Sequence, residues 1–430
     1  MKQEYLLGYE QKWWHFFVKP MYGLCFRQKD GSRFSDLEIL LKDVDADFCA
    51  LSFEKMIHVV CQDREGSILY LCYDGENWKK TVILESKTGK AVPKFFKLLP
   101  IGKYINLFYV IEYKEKHMLV HQILDGSDKP PFVVDYITLS TAPYCIAPHI
   151  STDFTVTYEN EHGICGSKLF KWSKKDYGTF TAITPGTSLF KPPFILVEPN
   201  DTCNFIAPIT MEQFKNLVFF KRNAAGSYTE PVTLYLDCDK EAAPILFVQD
   251  DKLFASWIDY GSIMSSYSTD GGEKWSKPIK YVRNSSIEPI LYCFCINGAL
   301  RHCYGFSQNN SITFYAAGDL LSAPPSALPE PQFKPKGSDA AEFARQAGFP
   351  VQQALEQEPV LGSAFDPADF ISRADYKKEM QEMKRMLSNQ NDIILELLRR
   401  LNKIENDGQR AVPIAEDEDA IDDIVAGNNK

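Results

Sequence analysis

The stretch YSTDGGEKW, residues 267–275, places Ser268, Asp270, Gly272 and Trp275 in the spacing S-x-D-x-G-x-x-W. These residue types suit a tight turn between two strands. An Asp side chain accepts hydrogen bonds from turn amides, glycine adopts a positive φ at little cost, and an aromatic ring packs between strands. One such stretch is a weak signal, but a series at fixed spacing indicates a repeat architecture.

Similar turns recur along the chain. Each combines Asp or Asn with an aromatic residue, and their first residues lie 44 to 51 positions apart: Asp30–Phe34, Asp74–Trp78, Asp125–Phe132, Asp176–Phe180, Asn223–Tyr228 and Asp270–Trp275. A further position, Asp319, follows after 49 residues but lacks the aromatic residue. Short runs rich in Val, Ile, Leu, Phe and Tyr separate the turns, which is typical of short strands. Many runs are apolar on both faces, as expected for strands packed between neighbouring sheets.

The turns resemble the Asp-box of sialidase-type β-propellers, which joins the third and fourth strands of a blade. Only residues 268–275 match the full pattern. The resemblance, with seven units of about 45 residues, predicts an all-β, seven-bladed β-propeller over residues 1–321. Sialidases have six blades, so a six-bladed ring is the alternative. Residues 4–8 either open the first blade or close the ring on the last one.

A sialidase would clamp its substrate carboxylate with three Arg residues and use a Tyr nucleophile, a Glu and an Asp acid/base. The chain lacks the Arg-Ile-Pro motif of that family, and residues 1–320 contain only six Arg. For a sialidase site, Arg64, Arg222 and Arg301 would have to converge at the ring centre. We therefore predict no catalytic residue and no cofactor. The alternative is a glycoside hydrolase or carbohydrate-binding protein of the sialidase-like superfamily.

Residues 292–303 contain four soft donor side chains, of which Cys303 would point away from the other three. A two-residue turn at 297–298 would place Cys293 opposite His302, with Cys295 on the same side of the hairpin. Zinc sites usually contain paired Cys-x-x-Cys motifs, and none is present here. We therefore predict no metal site. If a metal did bind to this hairpin, its candidate ligands would be Cys293, Cys295 and His302.

The C-terminal quarter has a different composition. Residues 322–337 are rich in Pro and predict a stiff linker, and residues 338–370 predict short helices broken by Pro. A long helix over residues 371–405 carries an apolar heptad, which is typical of a coiled coil. Its predicted oligomerisation residues are Met380, Met383, Leu387, Ile394, Leu397, Arg400, Leu401, Ile404 and Glu405.

The helix ends in RLNKIE, residues 400–405, which resembles the trimerisation signature of short parallel coiled coils. This favours a homotrimer, whereas Ile at an a position with Leu at d would favour a dimer. Residues 406–430 are acidic and predict a disordered tail. Its apolar residues either belong to a solubilising tail or form a motif that folds into a partner's groove: Ile421, Ile424 and Val425.

The chain of 430 residues has a net charge of −10, which argues against a nucleic-acid-coating protein. Eleven Cys without a paired framework, no signal peptide and no membrane-spanning run predict a cytoplasmic protein. The leading hypothesis is a non-enzymatic binding or scaffold protein. It would present its propeller on a coiled-coil homo-oligomer to an unknown protein or polysaccharide. A structural component of a larger assembly, such as a phage particle or spore layer, is another alternative.

Overall fold

The computed structural model describes residues 2–30, 33–126, 130–184, 189, 191–211, 214–239, 242–281, 288–296, 298–308 and 311–314. In these residues all regular structure is β-strand, and no helix in them is long and apolar enough to cross a membrane. Outside the described residues lie Asp319 and the predicted linker, short helices, coiled coil and acidic tail: residues 322–337, 338–370, 371–405 and 406–430.

The first half of the chain forms β1 (Gln3–Tyr9), β2 (Lys12–Lys19), β3 (Gly23–Asp30), β4 (Arg33–Phe34), β5 (Glu38–Leu41), β6 (Val44–Phe53), β7 (Met56–Asp63), β8 (Ile68–Tyr73), β9 (Trp78–Leu84), β10 (Lys97–Ile101), β11 (Tyr104–Tyr113), β12 (Lys116–Leu124) and β13 (Phe132–Ile137).

The second half forms β14 (Tyr144–Pro148), β15 (Phe154–Glu159), β16 (Cys165–Lys171), β17 (Asp176–Tyr177), β18 (Thr181–Ala182), β19 (Phe194–Val197), β20 (Cys203–Met211), β21 (Phe214–Arg222), β22 (Val232–Tyr235), β23 (Ile245–Gln249), β24 (Lys252–Asp259), β25 (Ser262–Ser268), β26 (Ile279–Tyr281), β27 (Ile290–Ile296), β28 (Ala299–Gln308) and β29 (Ser311–Phe314).

These strands form six sheets in the described residues. Sheets II to VI are antiparallel and built from consecutive strands: β6–β9, β10–β13, β14–β18, β19–β22 and β23–β26. Sheet I has eight strands in the order β29-β28-β27-β1-β2-β3-β4, with β5 also paired to β3. It therefore joins the two ends of the described chain.

Both faces of most sheets are buried against neighbouring sheets. Apolar clusters join sheets I, II and III, sheets III and IV, sheets IV and V, sheets V and VI, and sheets VI and I. Among the fully buried members are Leu51, Phe108, Phe154, Phe205 and Trp257. The packing is therefore cyclic, as the run of apolar strands without alternation predicts for stacked blades.

The ring closes between β1 and β27. Six parallel residue pairs, from Gln3–Leu291 to Gly8–Ile296, join these strands, while β1 also pairs antiparallel with β2. Residues 4–8 thus serve both roles that the sequence left open. They begin the first antiparallel group and also link it to the last one.

The recurrent turns mostly lie where the sequence predicts them. Five of the six follow the third strand of an antiparallel group and lead to the fourth: β3–β4, β8–β9, β12–β13, β21–β22 and β25–β26. The exception is Asp176–Phe180, because Asp176 and Tyr177 already form β17 and the preceding turn is residues 171–176. The spacing of the turns therefore follows the spacing of the sheets.

The turn between β25 and β26 has the most complete hydrogen bonding. The Ser268 hydroxyl donates to Oδ1 of Asp270 over 2.8 Å and accepts the Gly272 amide over 2.7 Å. Oδ1 of Asp270 also accepts the Lys274 amide over 2.9 Å. The side chains of this turn thus satisfy backbone groups that no strand partner reaches.

The same turn connects two sheets. The indole of Trp275 donates to the Gly272 carbonyl over 3.0 Å and lies edge-on to Phe219 of sheet V, with ring centroids 5.0 Å apart. Gly272 has a φ of +102°, and a Cβ at this position would lie 2.4 Å from the Phe219 ring. Only glycine fits both this conformation and this approach.

Candidate binding faces

The hairpin turns divide the ring into two faces. The 2–3 face carries the turns between second and third strands and the connections from one sheet to the next. The 1–2 face carries the turns between first and second and between third and fourth strands. Contacts between sheets follow this division: Lys116 Nζ pairs with Glu161 Oε2 over 2.7 Å on the 2–3 face, and the Tyr9 hydroxyl donates to the Lys55 carbonyl over 3.2 Å on the 1–2 face.

Exposed apolar side chains are distributed unequally between these faces. Among the described residues, eight large ones lie on the 2–3 face: Met21, Tyr22, Tyr113, Leu139, Ile164, Phe214, Leu236 and Tyr260. Five lie on outer strands, namely Ile39, Val82, Leu84, Val133 and Ile279, and one, Ile150, lies on the 1–2 face. Concentrated exposed apolar residues mark interaction surfaces in soluble proteins.

These side chains extend far into solvent. Met21, at the tip of the β2–β3 turn, is 97% exposed, and Tyr260, at the tip of the β24–β25 turn, is 74% exposed. Leu236, in the connection between sheets V and VI, is 69% exposed. Tight turns favour Gly, Asn, Asp and Ser, so folding does not require large apolar residues at these tips.

A cleft of about 770 Å³ opens between sheets I and II at the outer part of the 2–3 face. Its apolar lining comes from Ile39, Leu40, Leu41 and Leu69. Charged groups of both signs surround that lining: Lys42, Asp43, Asp63, Arg64, Glu65 and Lys80. The mixture of signs does not favour a ligand of one charge.

Polar side chains from several first strands meet at the centre of the ring. The Gln3 amide donates to the Tyr5 hydroxyl over 2.8 Å and to the Cys293 sulfur over 2.9 Å. Lys97 Nζ donates to the Tyr144 carbonyl over 2.6 Å. The centre is therefore filled by side chains that bond one another.

Burial shifts the pKa of two side chains that face each other on β27 and β28. Burial raises the pKa of the Cys293 thiol to about 12, so the reactive thiolate is scarce. Burial, with the charge of Lys97, lowers the pKa of His302 to about 4, which makes it a weak general base. The two side chains are cross-strand neighbours without the properties of a catalytic pair.

The register of the hairpin that carries the candidate ligands is as expected, with Cys293 opposite His302. However, Cys295 has a different environment, because its thiol donates to the Ser52 carbonyl over 3.3 Å. Burial raises the pKa of Cys295 to about 11. Among the residues that the structure describes, no group of three or more His, Cys, Asp or Glu side chains is arranged to hold a metal ion.

The three arginines of the sialidase hypothesis lie in three different sheets. Arg64 is exposed in the β7–β8 turn, 3.7 Å from Asp43. Arg222, at the end of the third strand of sheet V, donates to the Cys203 sulfur over 3.5 Å. Arg301 lies on β28, the second strand of its group. None of the three is on a first strand, where a residue would face the ring centre.

The most connected buried polar network lies across β1, β2 and β3. Arg27 Nε donates to His15 Nδ1 over 3.0 Å, and His15 Nε2 bonds Glu4 Oε2 over 2.6 Å. Lys2 Nζ completes the series at 2.6 Å from Glu4 Oε1. Glu4, His15 and Arg27 are buried, so this network stabilises the first antiparallel group next to the closing strand.

Sequence analysis missed the exposed residues of the 2–3 face. Met21 and Tyr22 stand between Pro20 and Gly23 in a predicted turn, and Tyr260 precedes Gly261. A large apolar residue beside a turn-forming Pro or Gly was the available signal. Its importance appears only when the topology places these turns on one face.

The chain was compared with known families and structures. No protein-family model matches it, and no curated protein matches it. A similar solved structure is that of a PL25 polysaccharide lyase, an ulvan lyase bound to -[GlcA(1-4)Rha3S]-, with a TM-score of 0.50 and 9% identity over 73% of this chain and 91% of that one.

Two further solved structures are less similar overall. AofleA from Arthrobotrys oligospora has a TM-score of 0.40 and 12% identity over 63% of this chain and 86% of its own. The Aleuria aurantia lectin, described as a six-bladed β-propeller that recognises fucose, has a TM-score of 0.38 and 10% identity over 66% of this chain and 96% of its own. Cyclic packing and the likeness to the lyase define the class: an all-β propeller. The resemblance to Asp-box sialidases stays a prediction.

Proposed function

We propose that the protein is a non-enzymatic binding protein whose propeller docks a protein partner on its 2–3 face. The observation that carries this proposal is the unequal distribution of exposed apolar side chains among the described residues, with eight on the 2–3 face and one on the 1–2 face. Aromatic residues and Met are enriched at protein interfaces. Met21, Phe214 and Tyr260 supply such anchors from three different sheets.

The partner's surface would be apolar at its contact points and polar at its rim. Charged groups adjoin two of the exposed positions: Lys19 Nζ lies 4.6 Å from the ring centre of Tyr22, and Lys215 follows Phe214 in the sequence. Central apolar contacts within a polar surround are the usual arrangement of energetically important interface residues.

We also propose that the ring has seven blades. Sheet I contains two antiparallel groups, β1–β5 and β27–β29, which would each be one blade, with five more from sheets II to VI. The parallel pairing of β1 with β27 would then join two inner strands of neighbouring blades. This reading agrees with the seven units in the sequence.

The predicted coiled coil would make the protein multivalent. Residues 371–405 would assemble a homo-oligomer, with a trimer favoured over a dimer, and residues 322–337 would separate the coil from the propeller. Linked binding faces gain avidity because the second contact forms at a high effective concentration. The protein would thus act as a scaffold that holds several copies of its partner.

The test compares two triple variants of the full chain. Met21→Ser/Phe214→Ser/Tyr260→Ser removes anchors of the 2–3 face, and Ile150→Ser/Val133→Ser/Ile279→Ser removes exposed apolar residues elsewhere. Crosslinked affinity purification with quantitative mass spectrometry should show a partner that the first variant loses and the second retains. A partner that both variants retain would contradict the proposal.

Carbohydrate recognition is the second candidate function. Its support is the likeness to a polysaccharide lyase, which at 9% identity concerns the fold, together with a surface feature of the 1–2 face. There, two neighbouring aromatic rings, Tyr104 and Trp172, lie among exposed lysines. Binding of the purified chain to a glycan array would separate this function from docking on the 2–3 face.

A further inference from the structure

We propose that the 1–2 face carries a binding site for acidic polysaccharides, formed by the turn between β16 and β17 and the turn between β10 and β11. This inference deepens the second candidate function and does not depend on the 2–3 face. The site consists of two aromatic rings and four exposed lysines, which we call the lysine–aromatic patch: Tyr104, Trp172, Lys103, Lys171, Lys174 and Lys175.

The backbone of the β16–β17 turn presents the lysines together. The Lys174 amide donates to the Lys171 carbonyl over 3.1 Å, which closes the turn. Lys175 has a φ of +52°, a conformation that non-glycine residues adopt uncommonly. This conformation places the Lys175 ammonium 2.7 Å from the centre of the Trp172 ring and 5.4 Å from that of Tyr104.

The two rings belong to neighbouring sheets III and IV. Their centroids are 5.5 Å apart and their planes are inclined by 39°. Lys103 adds a second ammonium 5.5 Å from the Tyr104 ring centre. Because the rings are inclined, a flat base cannot stack on both at once. One ring face is enough for the C–H groups of a pyranose, so a sugar fits the pair, and the comparison with an oligonucleotide belongs to the test.

The electrostatics of the patch favour an anionic sugar. Three carboxylates lie on the same part of the 1–2 face, and two of them accept backbone amides: Asp153 accepts the Trp172 amide over 2.9 Å, and Asp176 accepts its neighbour's amide over 2.8 Å. The third, Asp125, lies on the adjacent turn of sheet III. The four lysines outnumber these three carboxylates, so the patch keeps a local positive charge in a chain whose net charge is −10.

The cation over Trp172 gives the site a mechanism for binding. In the free protein, Lys175 occupies the ring face by a cation–π interaction. When a sugar stacks on Trp172, the ammonium moves to the carboxylate or sulfate that the sugar carries. The sugar thus replaces the Lys175 ammonium on the Trp172 ring, and Lys175 gains a charge-assisted hydrogen bond to the anionic group of the sugar. Neutral sugars would displace Lys175 without offering it a new partner.

The experiment measures binding of the full chain to a sulfated heparin fragment, to polygalacturonate and to neutral dextran at 150 mM salt. The variant Lys171→Gln/Lys174→Gln/Lys175→Gln should raise the Kd for an acidic glycan at least tenfold. The control Lys87→Gln/Lys90→Gln/Lys114→Gln removes three exposed lysines of the 2–3 face and should change Kd less than twofold. The preferred probe, sulfated or carboxylated, identifies the anionic group.

Trp172 provides a second measurement that does not rely on charge. Its fluorescence should change when an acidic glycan binds, and Trp172→Phe should abolish the change while the lysines remain. Three results would overturn the proposal: equal weakening by both triple variants, dextran binding as tight as that of the acidic glycans, or tighter binding of a single-stranded oligonucleotide. Partner capture by the 2–3 face would be unaffected by each of these results.

Discussion

Arg27 donates a hydrogen bond from Nε to Nδ1 of His15 over 3.0 Å, although both side chains are buried. A guanidinium has no acceptor, so Nδ1 of His15 must be unprotonated and its proton must lie on Nε2. That proton is donated to Glu4, 2.6 Å away. The neutral imidazole therefore connects a buried cation to a buried carboxylate on three successive strands.

Removal of one member of this network should destabilise the fold strongly. In Glu4→Gln, Arg27 and Lys2 remain without the carboxylate that balances them, and loss of one partner from a buried pair costs about 3 kcal/mol or more. The measurement is the free energy of unfolding in urea. The exposed pair Lys79–Asp74 provides the control, since Lys79→Met should cost less than about 1 kcal/mol. Equal losses would show that burial of the network contributes little.

Stability should decrease below neutral pH because of several buried histidines. Burial lowers the pKa of His58 to about 4, of His121 to about 3 and of His302 to about 4. It also lowers that of His15. Between about pH 6.5 and these values the unfolded chain binds protons that the folded chain does not, so the free energy of unfolding falls as pH falls.

Protonation of the Glu4 carboxylate should also lower the free energy of unfolding as pH falls. Burial opposes its ionisation, but the hydrogen bond from His15 and the ammonium of Lys2 hold its pKa below the usual value. The stability that it contributes is present above the unfolded pKa and is lost as pH falls further. Urea midpoints at pH 7.5, 6 and 5 should decline steadily, with His58, His121 and His302 each contributing on the order of 1–3 kcal/mol by pH 4. A flat profile over this range would contradict these shifts.

Gly272 should tolerate no side chain. Gly272→Ala combines an unfavourable φ of +102° with a Cβ 2.4 Å from the Phe219 ring, and we expect a loss of about 2 kcal/mol or more. Gly226, in the corresponding turn of sheet V, has a φ of +90° and nothing within 4 Å of an added Cβ. Gly226→Ala should therefore lower the free energy of unfolding by only about 1 kcal/mol, because its cost comes from the positive φ alone. If thermal unfolding showed similar losses of stability for Gly272→Ala and Gly226→Ala, the structure around Phe219 would have relaxed to accept the new Cβ.

The strand content and the repeat could be predicted from sequence because they depend on local chemistry. Turn residues and apolar runs specify short strands with a common spacing, and the hairpin register at Cys293 follows from a two-residue turn. The closing pair β1–β27 could not be predicted, since residues 4–8 and 291–296 are distant in sequence and pair only in the closed ring. The positions of Met21 and Tyr260 on one face depend on topology in the same way.

The predicted oligomeric state is a direct test of the scaffold hypothesis. The heptad over residues 371–405 predicts that the full chain forms a trimer, and a chain ending at Lys336 should be a monomer because it lacks every seam residue. Light scattering of both chains gives their masses directly. As a matched control, Leu387→Lys/Leu397→Lys in the full chain places charges in the seam and should also yield monomers. If the chain ending at Lys336 were also a trimer, the propeller itself would carry the interface. Any gain in avidity would then depend on contacts between propellers.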